Sequence, residues 1–114
     1  MQLHQAMIYV KNLEQMAAFY GDALGLPIIT ATRTDTWVES DTGSATLALH
    51  AIPTHIAEQF TMATPSHPRE ENPIKIISGV KDLESEYAHL RTLGVDLKMR
   101  PWGTCDGIDP DGTC

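Results

Sequence analysis

The stretch VKNLEQMAAFYGDALGL, Val10 to Leu26, returns later in the chain as VKDLESEYAHLRTLGV, Val80 to Val95. With a single-residue gap the two agree, and Val, Lys, Leu, Glu, Ala, Leu and Gly recur in order. A period of about seventy residues is too long for stacked solenoid repeats, so it implies a half-domain used twice and a pseudo-twofold axis.

Each copy is built the same way: an apolar strand, a cap residue, an amphipathic helix and a glycine stop. In the first, Leu3 to Val10 is the expected strand, and Asn12 caps the helix with Gln15 three residues on to complete a capping box. Leu13, Met16, Ala17, Tyr20 and Leu24 share one helical face, and Gly25 supplies the left-handed stop. In the second, Ile74 to Val80 is the strand, Asp82 the cap, and Leu83, Tyr87 and Leu90 the buried stripe before Gly94.

Working outward, PIITATRT, DTWVES and SATLALHAI are β-rich runs separated by turn signals, which predicts an antiparallel meander. Residues 1–52 then form a first module. Residues 53–73, rich in proline and containing SHPREEN, read as a linker with one helical turn near Ile56 to Phe60. Residues 74–114 form a second module, in which Val95 to Arg100 and Thr104 to Asp109 are strands and a fourth strand is missing.

The chain has 114 residues, 42% of them hydrophobic, which suits one domain with a modest core. It contains no apolar run of membrane-spanning length, and MQLHQAMIYV lacks the basic start of a signal peptide, so a cytoplasmic protein is expected. A net charge of −7, without a basic stripe, argues against nucleic acid as a partner. Cys105 and Cys114 have no CxxC spacing and no histidine beside them, so free thiols are expected rather than zinc ligands.

The stretch YVKNLEQMAAFYGDALGL, its recurrence, and DPDG near the end resemble the vicinal oxygen chelate superfamily, the glyoxalase, bleomycin-resistance and extradiol dioxygenase group. The resemblance covers nearly the whole chain. It implies an α+β fold of two βαβββ modules whose mixed sheet curves into a cup around a small-molecule site, with the second module lacking its last strand here. It also implies a common metal site with four ligand positions, which fall on Gln5, Ala48, Lys75 and a residue past Cys114. A weak oxygen donor, a methyl group and a cation do not make a divalent-metal site, so neither a metal nor another cofactor is expected.

Strand parity sorts the candidates for the site. Ala6, Ile8 and Val10 suit the core side of the first strand, and Gln5, Met7 and Tyr9 a cavity wall. Ala45, Leu47 and Leu49 suit the core, and Thr46, Ala48 and His50 the other face. In the second module Ile74, Ile76 and Val80 are assigned to the core and Lys75, Ile77 and Gly79 to the cavity. His50 is either a partly buried strand histidine bonded to a neighbour or a catalytic group. Lys75 either meets an anionic ligand or reaches solvent at the rim. Tyr9, Trp37 and Trp102 either stack on a planar ligand or fill core. His4, His55, His67 and His89 stand at no ligand spacing.

The tail PWGTCDGIDPDGTC has carboxylates at the wrong spacing for a calcium loop, and Asp109-Pro110-Asp111-Gly112 reads as a β-turn. Two functions stay open: a metal-free protein that binds a small, anionic or planar molecule, and a lyase, isomerase or dioxygenase with a non-standard donor set around His50. A ligandless scaffold is the third. A homodimer is expected, because the unpaired edge of Ile74 to Val80 invites a partner.

Overall fold

A computed structural model describes residues 1–59 and 74–112, and the expected linker lies mostly outside these. The fold is α+β with a mixed sheet. The chain divides into two compact units, Met1–Thr61 and Met62–Cys114.

In the first unit, strands β1 (Gln5–Val10), β2 (Trp37–Asp41) and β3 (Thr46–Ala51) form a sheet in the order β1-β3-β2. β3 runs parallel to β1 and antiparallel to β2. The first helix, α1 (Leu13–Ala18), starts as the sequence predicts: the Asn12 side-chain oxygen accepts the Gln15 amide at 3.1 Å. It continues into a π-helical turn, Phe19–Ala23, in which the Leu24 amide donates to the Phe19 carbonyl at 3.0 Å. Gly21 belongs to that turn for a steric reason. A Cβ there would lie 3.1 Å from Ile28 Cδ1, so the isoleucine side chain would have to shift to admit it. Gly25 ends the helix at φ 71°.

The expected apolar face is the buried one. Leu13, Met16, Ala17 and Tyr20 close over Val10, Val38, Leu47 and Leu49, all buried. Helix α1 contacts β3 and β2. Ala6, assigned to the core, is instead exposed, while Val10 on the same face of β1 is fully buried where the chain leads into α1.

One strand of the expected meander is only a remnant. PIITATRT contributes a single bridge, Ile28 to Ser40, closed by the Ile29 amide on Glu39 and the Asp41 amide on Pro27, both 2.9 Å. Thr30–Thr32 then turns as a 3-10 helix. The segment thus occupies the edge beyond β2 without forming a ladder. A four-residue helix α2 (Thr54–Ala57) follows β3, slightly earlier than expected; Phe60 lies outside the described residues.

In the second unit, α3 (Leu83–Thr92) is capped by Asp82, which accepts the Glu84 and Ser85 amides at 3.1 and 3.3 Å. The Ser85 hydroxyl also donates to this carboxylate at 2.9 Å, and these bonds, the Ser85 hydroxyl first, hold Asp82 below the ordinary carboxylate range. Strands β4 (Leu97–Met99) and β5 (Cys105–Gly107) form an antiparallel hairpin. The turn falls where expected, with the Arg100 amide donating to Thr104 at 2.8 Å around Gly103, whose φ is 86°, but the strands are shorter than expected because the ladder stops at the Leu97–Gly107 pair.

Three expectations for this unit need correction. Ile74 to Val80 joins no ladder among the described residues, although its counterpart β1 pairs along its whole length with β3. Strand pairing depends on a neighbour in register as well as on composition. Ile74 and Val80, assigned to the core, are exposed, and Ile76 is half-buried. Leu83, Tyr87 and Leu90 are the least exposed positions of α3 yet only half-buried. The paired β structure described in this unit is a hairpin of three-residue strands, which offers little area to cover a helix.

Candidate functional site

One face of the first sheet collects side chains by alternation and register. Tyr9 lies opposite His50, which lies opposite Trp37. The next row is Met7, Ala48 and Glu39, and the third is Gln5, Thr46 and Asp41. Side chains of a ladder row stand on one face, so the register brings together Gln5, Met7, Tyr9, Trp37, Ala48 and His50.

The first row is an aromatic shelf. The His50 ring lies 5.4 Å from Tyr9 and 5.5 Å from Trp37, tilted against the first and edge-on to the second. Tyr9 is 55% exposed, and His50 and Trp37 are half-buried. His50 Nδ1 is 2.9 Å from the Ala51 carbonyl. A carbonyl can only accept, so in the neutral ring Nδ1 carries the proton and Nε2 keeps a lone pair. The partly buried histidine bonded to a neighbour is thus what the strand presents.

Beside the shelf stands Glu39, which sequence reasoning passed over. Its carboxylate accepts the Trp37 indole N–H at 2.6 Å and fixes the ring. The alternation Trp37, Glu39, Asp41 against Val38 and Ser40 was the available signal. In the third row the Gln5 side-chain amide donates to the Thr46 hydroxyl at 2.9 Å. Ala48, between Met7 and Glu39, is fully buried although it belongs to this face.

Lys75 and Trp102 belong to the second unit. Lys75 is ion-paired with Asp106 at 2.9 Å, and Arg100 Nε meets the other oxygen of that carboxylate at 2.6 Å. Hydrogen bonds from Lys75 and then Arg100 hold Asp106 below the ordinary carboxylate range. The Arg100 guanidinium sits 5.9 Å from the centre of the Trp102 ring. The tail forms the expected turn: the Gly112 amide donates to the Asp109 carbonyl at 2.9 Å, and the Asp109 side chain accepts the Asp111 amide.

Of the positions the resemblance pointed to, Gln5 donates its side-chain NH2 to Thr46, Ala48 carries no donor atom, and the Lys75 ammonium is paired with the Asp106 carboxylate. Among the described residues no three His, Cys, Asp or Glu side chains converge as a metal would require. Among the same residues no helix is long and apolar enough to cross a membrane. Cys105 is a free thiol, and Cys114 lies outside the described residues.

The family model described as Glyoxalase/Bleomycin resistance protein/Dioxygenase superfamily matches residues 2–112. No curated protein matches the sequence significantly. Among solved structures, the chain is similar to TnmS3, an antibiotic binding protein from Streptomyces sp. CB03234, with a TM-score of 0.67, 19% identity, and coverage of 99% of this chain and 90% of that one. A glyoxalase-related enzyme from Fulvimarina pelagi gives a TM-score of 0.66 and 21% identity, covering 98% and 83%. A bleomycin resistance determinant encoded on the transposon Tn5 gives 0.63 and 20%, covering 99% and 92%. At these identities the likeness concerns the fold.

Proposed function

We propose, from the premise that this chain belongs to the Glyoxalase/Bleomycin resistance protein/Dioxygenase superfamily, that it binds a planar small molecule without the family's usual metal. The observation that carries this reading is the row Tyr9–His50–Trp37, with its rings 5.4 and 5.5 Å apart and Glu39 locking the indole. A ring presented with its orientation already fixed gives up less entropy when it stacks on a ligand. Two of the similar structures are named as an antibiotic binding protein and a bleomycin resistance determinant, which supports a ligand of drug-like class.

The test is a calorimetric screen of planar aromatic compounds against the wild type and Trp37→Ala. A ligand is expected whose affinity falls by about tenfold or more in the variant, the scale of one aromatic stacking contact. Compounds that bind both proteins equally would remove the shelf from the site.

A second reading, a lyase, isomerase or dioxygenase with a donor set around His50, is favoured by one observation. The Nε2 lone pair of His50 is unengaged among the described residues and shares its face with Glu39. Measuring bound metal per chain after incubation with a panel of divalent cations separates the two. Stoichiometric metal lost in His50→Ala would establish the second reading over the first.

In the first reading the protein works in the cytoplasm as a homodimer. Ile74 and Ile77 expose 70% and 87% of their surface along a segment outside any described ladder, and an apolar edge of that kind favours a partner chain. Equilibrium sedimentation at about 50 µM, above typical dimer constants, should show twice the chain mass; a monomer there would count against the dimer.

A further inference from the structure

We infer that the β4–β5 hairpin carries an oxyanion subsite formed by Arg100, Lys75 and Trp102, suited to an aryl carboxylate. The inference names a charged ligand class for the second unit, and it rests on the binding-protein reading only for the existence of a small-molecule ligand.

Asp106 is the organising group. Its two oxygens are both used, one by Lys75 Nζ at 2.9 Å and the other by Arg100 Nε at 2.6 Å. One carboxylate therefore holds two cations side by side and leaves a net charge of +1. Lys98 lies directly opposite Asp106 in the ladder and adds a third cation to the same face. This concentration of positive charge occurs in a chain whose net charge is −7.

The donors left over have the right geometry. Arg100 engages Asp106 through Nε alone, so both of its terminal nitrogens keep their N–H groups, the fork that matches a carboxylate bidentately. Lys75 spends one of its three N–H groups on Asp106. No other side-chain hydrogen bond of either residue occurs among the described residues. Both side chains are held before a ligand arrives, which reduces the ordering cost of binding. Trp102 completes the chemistry: it is 71% exposed and lies beside the guanidinium, so a ring attached to a bound carboxylate has an aromatic surface to meet. The tight turn from Arg100 to Thr104 keeps the arginine and the tryptophan on one short loop.

The test is an NMR titration of isotope-labelled protein with naphthoate, naphthamide and naphthylmethylammonium, following the indole N–H of Trp102 and of Trp37 and the Nε–H of Arg100. Naphthoate is expected to move the Trp102 and Arg100 signals saturably and to bind at least about tenfold tighter than the amide, the worth of one charge-assisted hydrogen bond. Arg100→Met should remove that advantage, and Arg100→Lys, which keeps the charge but loses the fork, should fall between. Asp106→Asn takes away the neutralising charge while its side-chain oxygen still accepts from one of the two cations, so the gain of charge should outweigh the lost positioning and strengthen naphthoate binding. If Arg100→Met fails to fold, the three ligands on the wild type and Asp106→Asn decide the matter.

Equal binding of the three compounds would overturn the subsite, as would weaker naphthoate binding by Asp106→Asn. A response confined to Trp37 would also overturn it while leaving the aromatic shelf standing. A response confined to Trp102 and Arg100 would establish the subsite and leave the shelf without support.

Discussion

Leu13→Ala is expected to destabilise the first unit by about 2–5 kcal/mol, the usual cost of emptying a leucine site in a packed core. Leu83→Ala, the same change at the equivalent place in the repeat, should cost only about 1 kcal/mol, because a half-exposed side chain has already kept part of its surface in water. In sequence the two leucines are indistinguishable, each one residue after a helix cap. In the structure Leu13 is 7% exposed and lies with Val10 and Met16, both fully buried, whereas Leu83 is half-buried. The difference comes from what the helices have to cover. Helix α1 meets β3 and β2 of a three-stranded sheet; the paired strands described in the second unit are three residues long. Hydrogen exchange of the core amides in each unit, read for both variants, reports the two losses separately. Equal losses would mean that the halves are equally well packed, contrary to the burial seen here.

The contrast between those two residues also shows where sequence reading stops. Caps and helical stripes are local: Asn12, Asp82 and the spacing of Leu13, Met16, Ala17 and Tyr20 depend on residues within a turn or two, and the structure has them as expected. Strand identity is not local. TLALHA and the segment from Ile74 to Val80 have comparable composition, yet among the described residues only the first joins a ladder, with partners on both sides. The site divides in the same way. Alternation alone placed Gln5, Met7, Tyr9, Ala48 and His50 on one face, but that Trp37 flanks His50 required the register between β2 and β3. Glu39 was legible by the same alternation, two residues after Trp37 on the same face of β2. The partner of Lys75 could not be read at all. Asp106 lies 31 residues away, and nothing in the sequence joins them.

Ala48→Glu is expected to cost about 3 kcal/mol at neutral pH, and the reason bears on how this sheet face differs from a metal site. Ala48 is fully buried between Met7 on β1 and Glu39 on β2, so an introduced carboxylate would lose much of its water and stand directly across the ladder from an existing one. Burial and the neighbouring charge both favour the neutral acid, so the folded pKa of the new glutamate lies above its unfolded value. The penalty is therefore largest above the folded pKa and is relieved as pH falls toward the unfolded value. Ala48→Gln separates size from charge: it carries nearly the same volume, and its cost should hardly change with pH over the same range. Urea unfolding of both variants at pH about 5 and about 8 measures the difference directly. If the two were equally destabilised at both pH values, bulk alone would account for the loss, and Glu39 would exert no field on the position that alanine now fills.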